Sequence, residues 1–349
     1  MLQERVEPQW LQAFEAVVAR CGAGAGDTVC VLHETQSRPV LVELARLAAA
    51  RRGCTVFALQ LPTPAQADGI PVRSTGASDA LRGQQAAIAA LSRCTLVLDC
   101  TVEGLMHAAE LPQVLAGGAR VLYVSNEHPE ALERLLPDDA LEPRVKSHLK
   151  RLRAAAHMQV QSQVGTQLSI NLVSGVFGAN WGYTTKPGTL SHWPGGLVLA
   201  FPAAGTVSGR LVLDSGDVNL THKRYIEQPV ALQIEDDHVV QVEGRGVDAQ
   251  LLRATFDAWQ QREGSRACTA VSHVGYGLNP NARWDALAYY DKRDCNGTEL
   301  RAFAGNFLYS TGANETAGRH TRGHFDWPLR GCTITLDGQP VVQDGVVCA

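Results

Sequence analysis

His324, Phe325 and Asp326, in the stretch RGHFDWPLRG (322–331), set an imidazole and a carboxylate two positions apart. In an extended strand, residues i and i+2 project to the same side. His324 and Asp326 can therefore offer a nitrogen and an oxygen to one ion, with Phe325 turned to the opposite, apolar side. Far upstream, His273 ends the apolar run ACTAVSH and precedes a glycine-rich turn, GYGLNP. A histidine at a strand end, beside closely approaching backbone, is well placed as a ligand, because rigid elements hold a donor set better than loops do. Two histidines and one carboxylate on one face of an ion leave three positions open. That suits non-haem Fe(II), which must take up both an organic chelate and O2. Zinc with a bound water, or Mn(II), is served by the same donors. Ligand type alone leaves redox chemistry and hydrolysis both open. Other groups with chemical potential gather in the same half: His192 in LSHWPGG, Asp217 in DSGDVNL and His222 in LTHKRY.

The elements that must position these groups follow from hydrophobic patterning. Up to about residue 155, helix-like and strand-like runs alternate: helical 8–21, strand 27–34, helical 39–53, strand 54–61, helical 79–91, strand 94–100, helical 104–115, strand 119–125, then a further helix opened by Pro129. Apolar strands separated by amphipathic helices imply a mostly parallel sheet with helices on its faces. Beyond that point HMQVQSQV and QLSINLV alternate with period two, as half-buried strands do. Strand-like GLVLAFP, GRLVLDSG and VALQIEDDHVVQVEG follow, the last with Asp236-Asp237 at a hairpin turn. One helix, near 247–261, interrupts them, and CTITLDGQPVVQDG closes the chain as another hairpin around Asp337-Gly338. The reading is an α/β domain over 1–155 and a β-rich α+β domain over 156–349 that carries the candidate metal site.

A chain of 349 residues is long enough for two such domains. The formal charge is −4, and no segment interleaves Lys and Arg with aromatics, so nucleic acid is not an expected partner. The basic run 144–157 repeats at helical spacing and reads as a solvated face. Acids precede any apolar run at the N-terminus, which is not a secretion signal, and no apolar window spans a bilayer. Nine cysteines without CxxC spacing point to free thiols in a reducing cytoplasm, not to a disulfide scaffold. CGAGAGD (21–27) precedes its strand instead of following one, which is the wrong order for a phosphate-binding loop, and reads as a connector.

SHVGYGLNPNARW, GNFLYSTGAN and HFDWPLRGCTITLDG, together with LHET, SHWPGG and GRLVLDSGD, resemble the 2,5-dihydroxypyridine 5,6-dioxygenases over nearly the whole chain. Those enzymes are similar to the M29 family of metal-dependent aminopeptidases, and the resemblance implies the same two-part fold. It also implies one Fe(II) per subunit on His273, His324 and Asp326. The expected reaction is O2-dependent opening of 2,5-dihydroxypyridine between C5 and C6 to N-formylmaleamate, in nicotinate degradation. His192 and His107 are implied as catalytic acid and base, and Ser310 as a substrate contact. Where a related enzyme has an acid, this chain has Asn180, which raises the alternative of a differently substituted hydroxypyridine. The peptidases hold two metals. Here His273 stands for one of their glutamates and Leu308 for their central histidine, so the alternative of an aminopeptidase lacks its full set of bridging ligands. The resemblance further implies a homo-oligomer.

Overall fold

The computed structural model describes residues 4–65 and 77–348. The first half builds a parallel sheet from β1 (Thr28–Glu34), β2 (Thr55–Leu61), β3 (Leu96–Asp99) and β4 (Arg120–Val124). Its helices are α1 (Pro8–Arg20), α2 (Pro39–Arg51), α3 (Gln85–Leu91), α4 (Leu111–Ala116), α5 (Pro129–Arg134) and α6 (Leu141–Ala154). Proline at the first position of α1, α2 and α5 lacks an N–H that would go unpaired there anyway, and its fixed φ suits the helix start. Every residue of β3 and β4 is buried. Side chains alternate between two cores: Val29, Val31, Leu96 and Leu98 meet α1 and α2, while Cys30, Leu32 and Val97 meet α3 and α4. β2, read from the sequence with the buried strands, is the outer edge and exposes Thr55, Phe57, Ala58 and Gln60.

The second half supplies β5 (His157–Ser162), β6 (Gln167–Asn171), β7 (Val176–Asn180), β8 (Leu190–Trp193), β9 (Leu197–Phe201) and β10 (Val207–Leu213). A short ladder of β11 (Val218–Asn219) and β12 (Arg224–Tyr225) leads to β13 (Val230–Glu235), β14 (His238–Gly244) and α7 (Gly246–Glu263). Then come β15 (Val271–Gly277), α8 (Ala286–Tyr289), α9 (Thr298–Ala302), β16 (Phe307–Thr311) and β17 (Phe325–Leu329). β18 (Cys332–Leu336), β19 (Gln339–Gln343) and β20 (Val346–Val347) end the chain. Two antiparallel sheets result, ordered β14-β13-β10-β6-β5-β18-β19-β20 and β17-β16-β15-β9-β7. Leu168, Ile170, Leu211 and Leu232 of the first share one core with Val274, Tyr276, Phe307 and Trp327 of the second.

β8 departs from the sequence reading. Residues 190–193 were assigned to the C-terminal domain, yet they pair in parallel with Val121–Val124 and extend the first sheet to the order β2-β1-β3-β4-β8. The Trp193 side chain packs against Phe14 of α1, and its Nε1 donates to the Leu135 carbonyl, so burial and hydrogen bonding both draw this strand across. The helix expected over 104–115 is also shorter, beginning at Leu111. Residues 101–110 form turns in which Gly104 takes φ +81°, and a Cβ there would meet the Tyr123 ring at 2.9 Å. Likewise the helix expected from 79 begins at Gln85. All nine cysteines are free, and among the described residues no helix is long and apolar enough to cross a membrane.

Candidate metal centre

β15, β16 and β17 are neighbours, and their register places His273 opposite Ser310 and Ser310 opposite Asp326. Directly paired residues of adjacent strands share a face. The three side chains therefore stand in one row across the sheet. His324, just before β17, adds its ring to that row, stacked on His273 with centroids 5.4 Å apart. One ligand atom from each of His273, His324 and Asp326 lies within 4.8 Å of the others. His324 Nε2 is 3.3 Å and His273 Nε2 3.6 Å from Asp326 Oδ1. Phe325 points the other way, against Phe256, as alternation requires.

The surroundings of His273 and Asp326 suit them to hold a cation. Ser272 donates its hydroxyl to the Ala313 carbonyl at 2.5 Å and lies 3.2 Å from His273 Nδ1, so its oxygen can accept an Nδ1 proton when Nε2 takes up a cation. Burial pushes the His273 imidazole down to about 3, against the pull of Asp326, so it is neutral at pH 7. Burial alone would raise the Asp326 carboxyl, but Arg301, His324 and His273 together hold it well below the usual carboxylate range. Arg301 of α9 donates Nε to Asp326 Oδ2 at 2.8 Å, and its Nη2 donates to the same oxygen. Ser310 contacts His273 Nε2 at 3.0 Å and donates to Asp326 Oδ1. The backbone makes room for this set at Gly312, where φ is +128° and a Cβ would meet the Gly323 carbonyl oxygen at 2.5 Å and His324 Nδ1 at 3.1 Å.

His107 and His192 approach from the first sheet. His107 lies in the turns after β3, not on a helix as the sequence suggested, with its ring 6.2 Å from that of His324. Asp99 organises these turns: Oδ1 accepts from the Thr101 N–H and hydroxyl, and Oδ2 from the Leu105 N–H. His192 sits in β8, beside the carboxyl ends of the parallel strands, where open α/β sheets place their ligands. Its Nδ1 lies 2.7 Å from the Pro194 carbonyl. Burial pushes both imidazoles down to about 4.

Other candidates make the following local contacts. Asn180 Oδ1 accepts from the Gly182 N–H, pinning the turn beside Gly195. Leu308, two residues before Ser310 on the same face, is buried and apolar. Both carboxylate oxygens of Asp217 are engaged by the backbone N–H groups of Asp214 and Arg330. His222 lies against Asn219 and Thr255. Sequence reasoning missed Arg301, which is 25 residues from Asp326 and carries no local motif. It also missed Ser272, whose strand neighbour should face away. A register irregularity between Val271 and His273 lets the adjacent side chains meet.

Fold and site together define a two-part α/β protein with a His-His-Asp triad where its sheets converge. The family model of NicX, 2,5-dihydroxypyridine 5,6-dioxygenase, matches residues 9–349. The chain belongs to that family, as its motifs implied. It is 35% identical to the 2,5-dihydroxypyridine 5,6-dioxygenase of Pseudomonas putida (strain KT2440) over 345 residues, 98% of this chain and 96% of that one. The solved structure of the Pseudomonas putida KT2440 2,5-dihydroxypyridine dioxygenase superposes with a TM-score of 0.92 at 34% identity, covering 99% of each chain. AmpT from Thermus thermophilus, an M29 aminopeptidase, matches with a TM-score of 0.67 at 14% identity over 98% of this chain and 99% of its own, a likeness of fold alone.

Proposed function

We propose that this chain is an Fe(II)-dependent ring-cleaving dioxygenase. It opens 2,5-dihydroxypyridine between C5 and C6, places both atoms of O2 in the product, N-formylmaleamate, and serves nicotinate breakdown. The observation that carries this reading is the row His273–Ser310–Asp326, closed by His324, in a chain of this family. His273, His324 and Asp326 would hold one Fe(II) per subunit. Bound iron supplies the electron route between a spin-paired ring and O2 that side chains lack.

The donor set fits such an ion. Two imidazoles and one carboxylate occupy one face and leave the remainder for a chelating substrate and O2. Arg301 offsets the Asp326 charge, so the full charge of a divalent ion is left to attract an anionic ring. His192 and His107 are the proton carriers: both are neutral near pH 7, so either can take the proton of a ring hydroxyl and later return one. In His192 the Nδ1 proton is committed to the Pro194 carbonyl, which leaves Nε2 to do this. Ser310, whose proton goes to Asp326 Oδ1, would meet the substrate as an acceptor through its hydroxyl oxygen. The free thiols suit a reducing cytoplasm.

The test loads the protein with Fe(II) without oxygen and then follows O2 uptake and the substrate's ultraviolet band together. One O2 consumed per ring lost is expected. Equal turnover with zinc and no O2 uptake would overturn the reading. A substrate panel in the same assay tests the alternative raised by Asn180, that the preferred ring is a differently substituted hydroxypyridine.

A further inference from the structure

Glu127 follows β4 in the first half of the chain, is 2% exposed, and spends its carboxylate on the backbone of a segment far away in sequence. Its Oε2 accepts from the Asn296 N–H at 2.9 Å. Its Oε1 accepts from the N–H groups of Gly297, Thr298 and Glu299 at 3.0, 2.8 and 3.4 Å. Those residues lead into α9, whose Arg301 grips Asp326. Two further ties join the same parts: the Ser125 and Thr298 hydroxyls meet at 2.7 Å, and the Asn296 amide donates to the Tyr123 hydroxyl at 2.8 Å. Arg134 of α5 balances the neighbouring buried carboxylate of Glu299 at 2.7 Å. The parallel sheet therefore grips the short helix at its start while the helix grips the candidate ligand with its fourth residue.

We infer that Glu127 is a positioning residue for the metal centre: by fixing residues 296–299 it sets where Arg301 stands, and so which oxygen of Asp326 is left for the ion. The end of this five-residue helix is held by the Asn306 amide, which donates to the Arg301 carbonyl at 3.0 Å, and its start by Glu127. A carboxylate accepting several converging N–H groups fixes it strongly, because charge-assisted bonds are short and burial makes an unpaired donor costly. Asp326 Oδ2 belongs to Arg301 and Oδ1 faces His273 and His324. A shift of α9 would let the carboxylate rotate and mix the two roles.

The inference rests on the metal reading of the triad, and its test separates the two. Glu127→Gln, Arg301→Lys and the double variant are compared with wild type by anaerobic Fe(II) titration of the metal-free protein and by urea unfolding without metal. Glu127→Gln should weaken Fe(II) binding by about 10- to 100-fold, as loss of an outer support does. In the Arg301→Lys background it should cost less than about twofold, because residues acting through one another are not additive. Thr298→Val, a milder break in the same tie, should weaken binding in the same direction. Asp248→Asn, which removes a buried carboxylate from the start of α7, should lower stability without changing Fe(II) affinity. Wild-type Fe(II) affinity in Glu127→Gln and Thr298→Val, or fully additive effects, would overturn the inference. If wild type binds no Fe(II), the metal reading fails; the metal-free unfolding cycle then decides the positioning role, and lack of coupling between 127 and 301 overturns it.

Discussion

The Nδ1 proton of His192 belongs to the Pro194 carbonyl, 2.7 Å away, so Nε2 is the acceptor nitrogen of this ring. Replacing it with Ala should lower kcat by about 10²- to 10⁴-fold, the usual worth of a positioned proton carrier. Bound metal should stay at the wild-type level, since His192 is outside the ligand set. Because burial holds the imidazole at about 4, against the pull of the carbonyl, the acid limb of kcat/KM should lie well below the pH 6.5 of an ordinary histidine. A variant with full activity, or an acid limb unchanged in the variant, speaks against the role.

His273→Ala, His324→Ala and Asp326→Ala should each lose retained iron and turnover together while far-ultraviolet circular dichroism stays as in wild type. Metal analysis after gel filtration reads the first. Any of the three keeping wild-type activity removes that residue from the set.

Asp99→Asn places an NH2 where the Leu105 N–H now donates, leaving a buried donor without its acceptor at a cost of about 1–3 kcal/mol. The turns that carry His107 should loosen. Turnover should fall with metal content unchanged, and His107→Ala should mask the effect; additivity of the two would mean that Asp99 does not act through His107.

Gly312→Ala should destabilise by more than about 1 kcal/mol, since alanine at a positive φ is strained and its Cβ meets the Gly323 carbonyl. Urea unfolding measures the loss. Fe(II) affinity should fall as well, because the displaced atoms include His324.

Asp217 allows a pH test away from the centre. Burial, against its two backbone N–H donors, pushes its carboxyl up to about 7. Between about pH 4 and 7 the unfolded chain releases a proton that the folded protein keeps, so this group costs stability as pH rises through that window. Asp217→Asn cannot ionise. Its melting temperature relative to wild type should therefore rise from pH 4 to pH 7; a difference flat with pH would contradict the shift.

Much of this was legible in the sequence for physical reasons. Period-two alternation around His324 and Asp326 put both on one face, and the 3.3 Å approach of His324 Nε2 to Asp326 Oδ1 agrees. The β3 and β4 runs, apolar on both faces, announced a sheet covered on both sides. What escaped depends on partners distant in sequence. β8 joins the parallel sheet because Trp193 finds its apolar and hydrogen-bonding partners there, a preference no local pattern encodes. His107 sits among turns because a carboxylate at the end of β3 captures the following N–H groups, a contest that helix periodicity overlooks. Arg301 was invisible because its worth comes wholly from where α9 is held.

The crossing of β8 also bears on how such a chain can be cut or recombined. A fragment ending at 155 would present β4 as a naked edge, with the backbone of Val121–Val124 ready to pair with another copy and Phe14 stripped of its tryptophan. Exchanging halves between relatives at that point would transplant a histidine and the strand bearing it into a foreign sheet. A viable graft must carry residues 190–193 along with the sheet they complete.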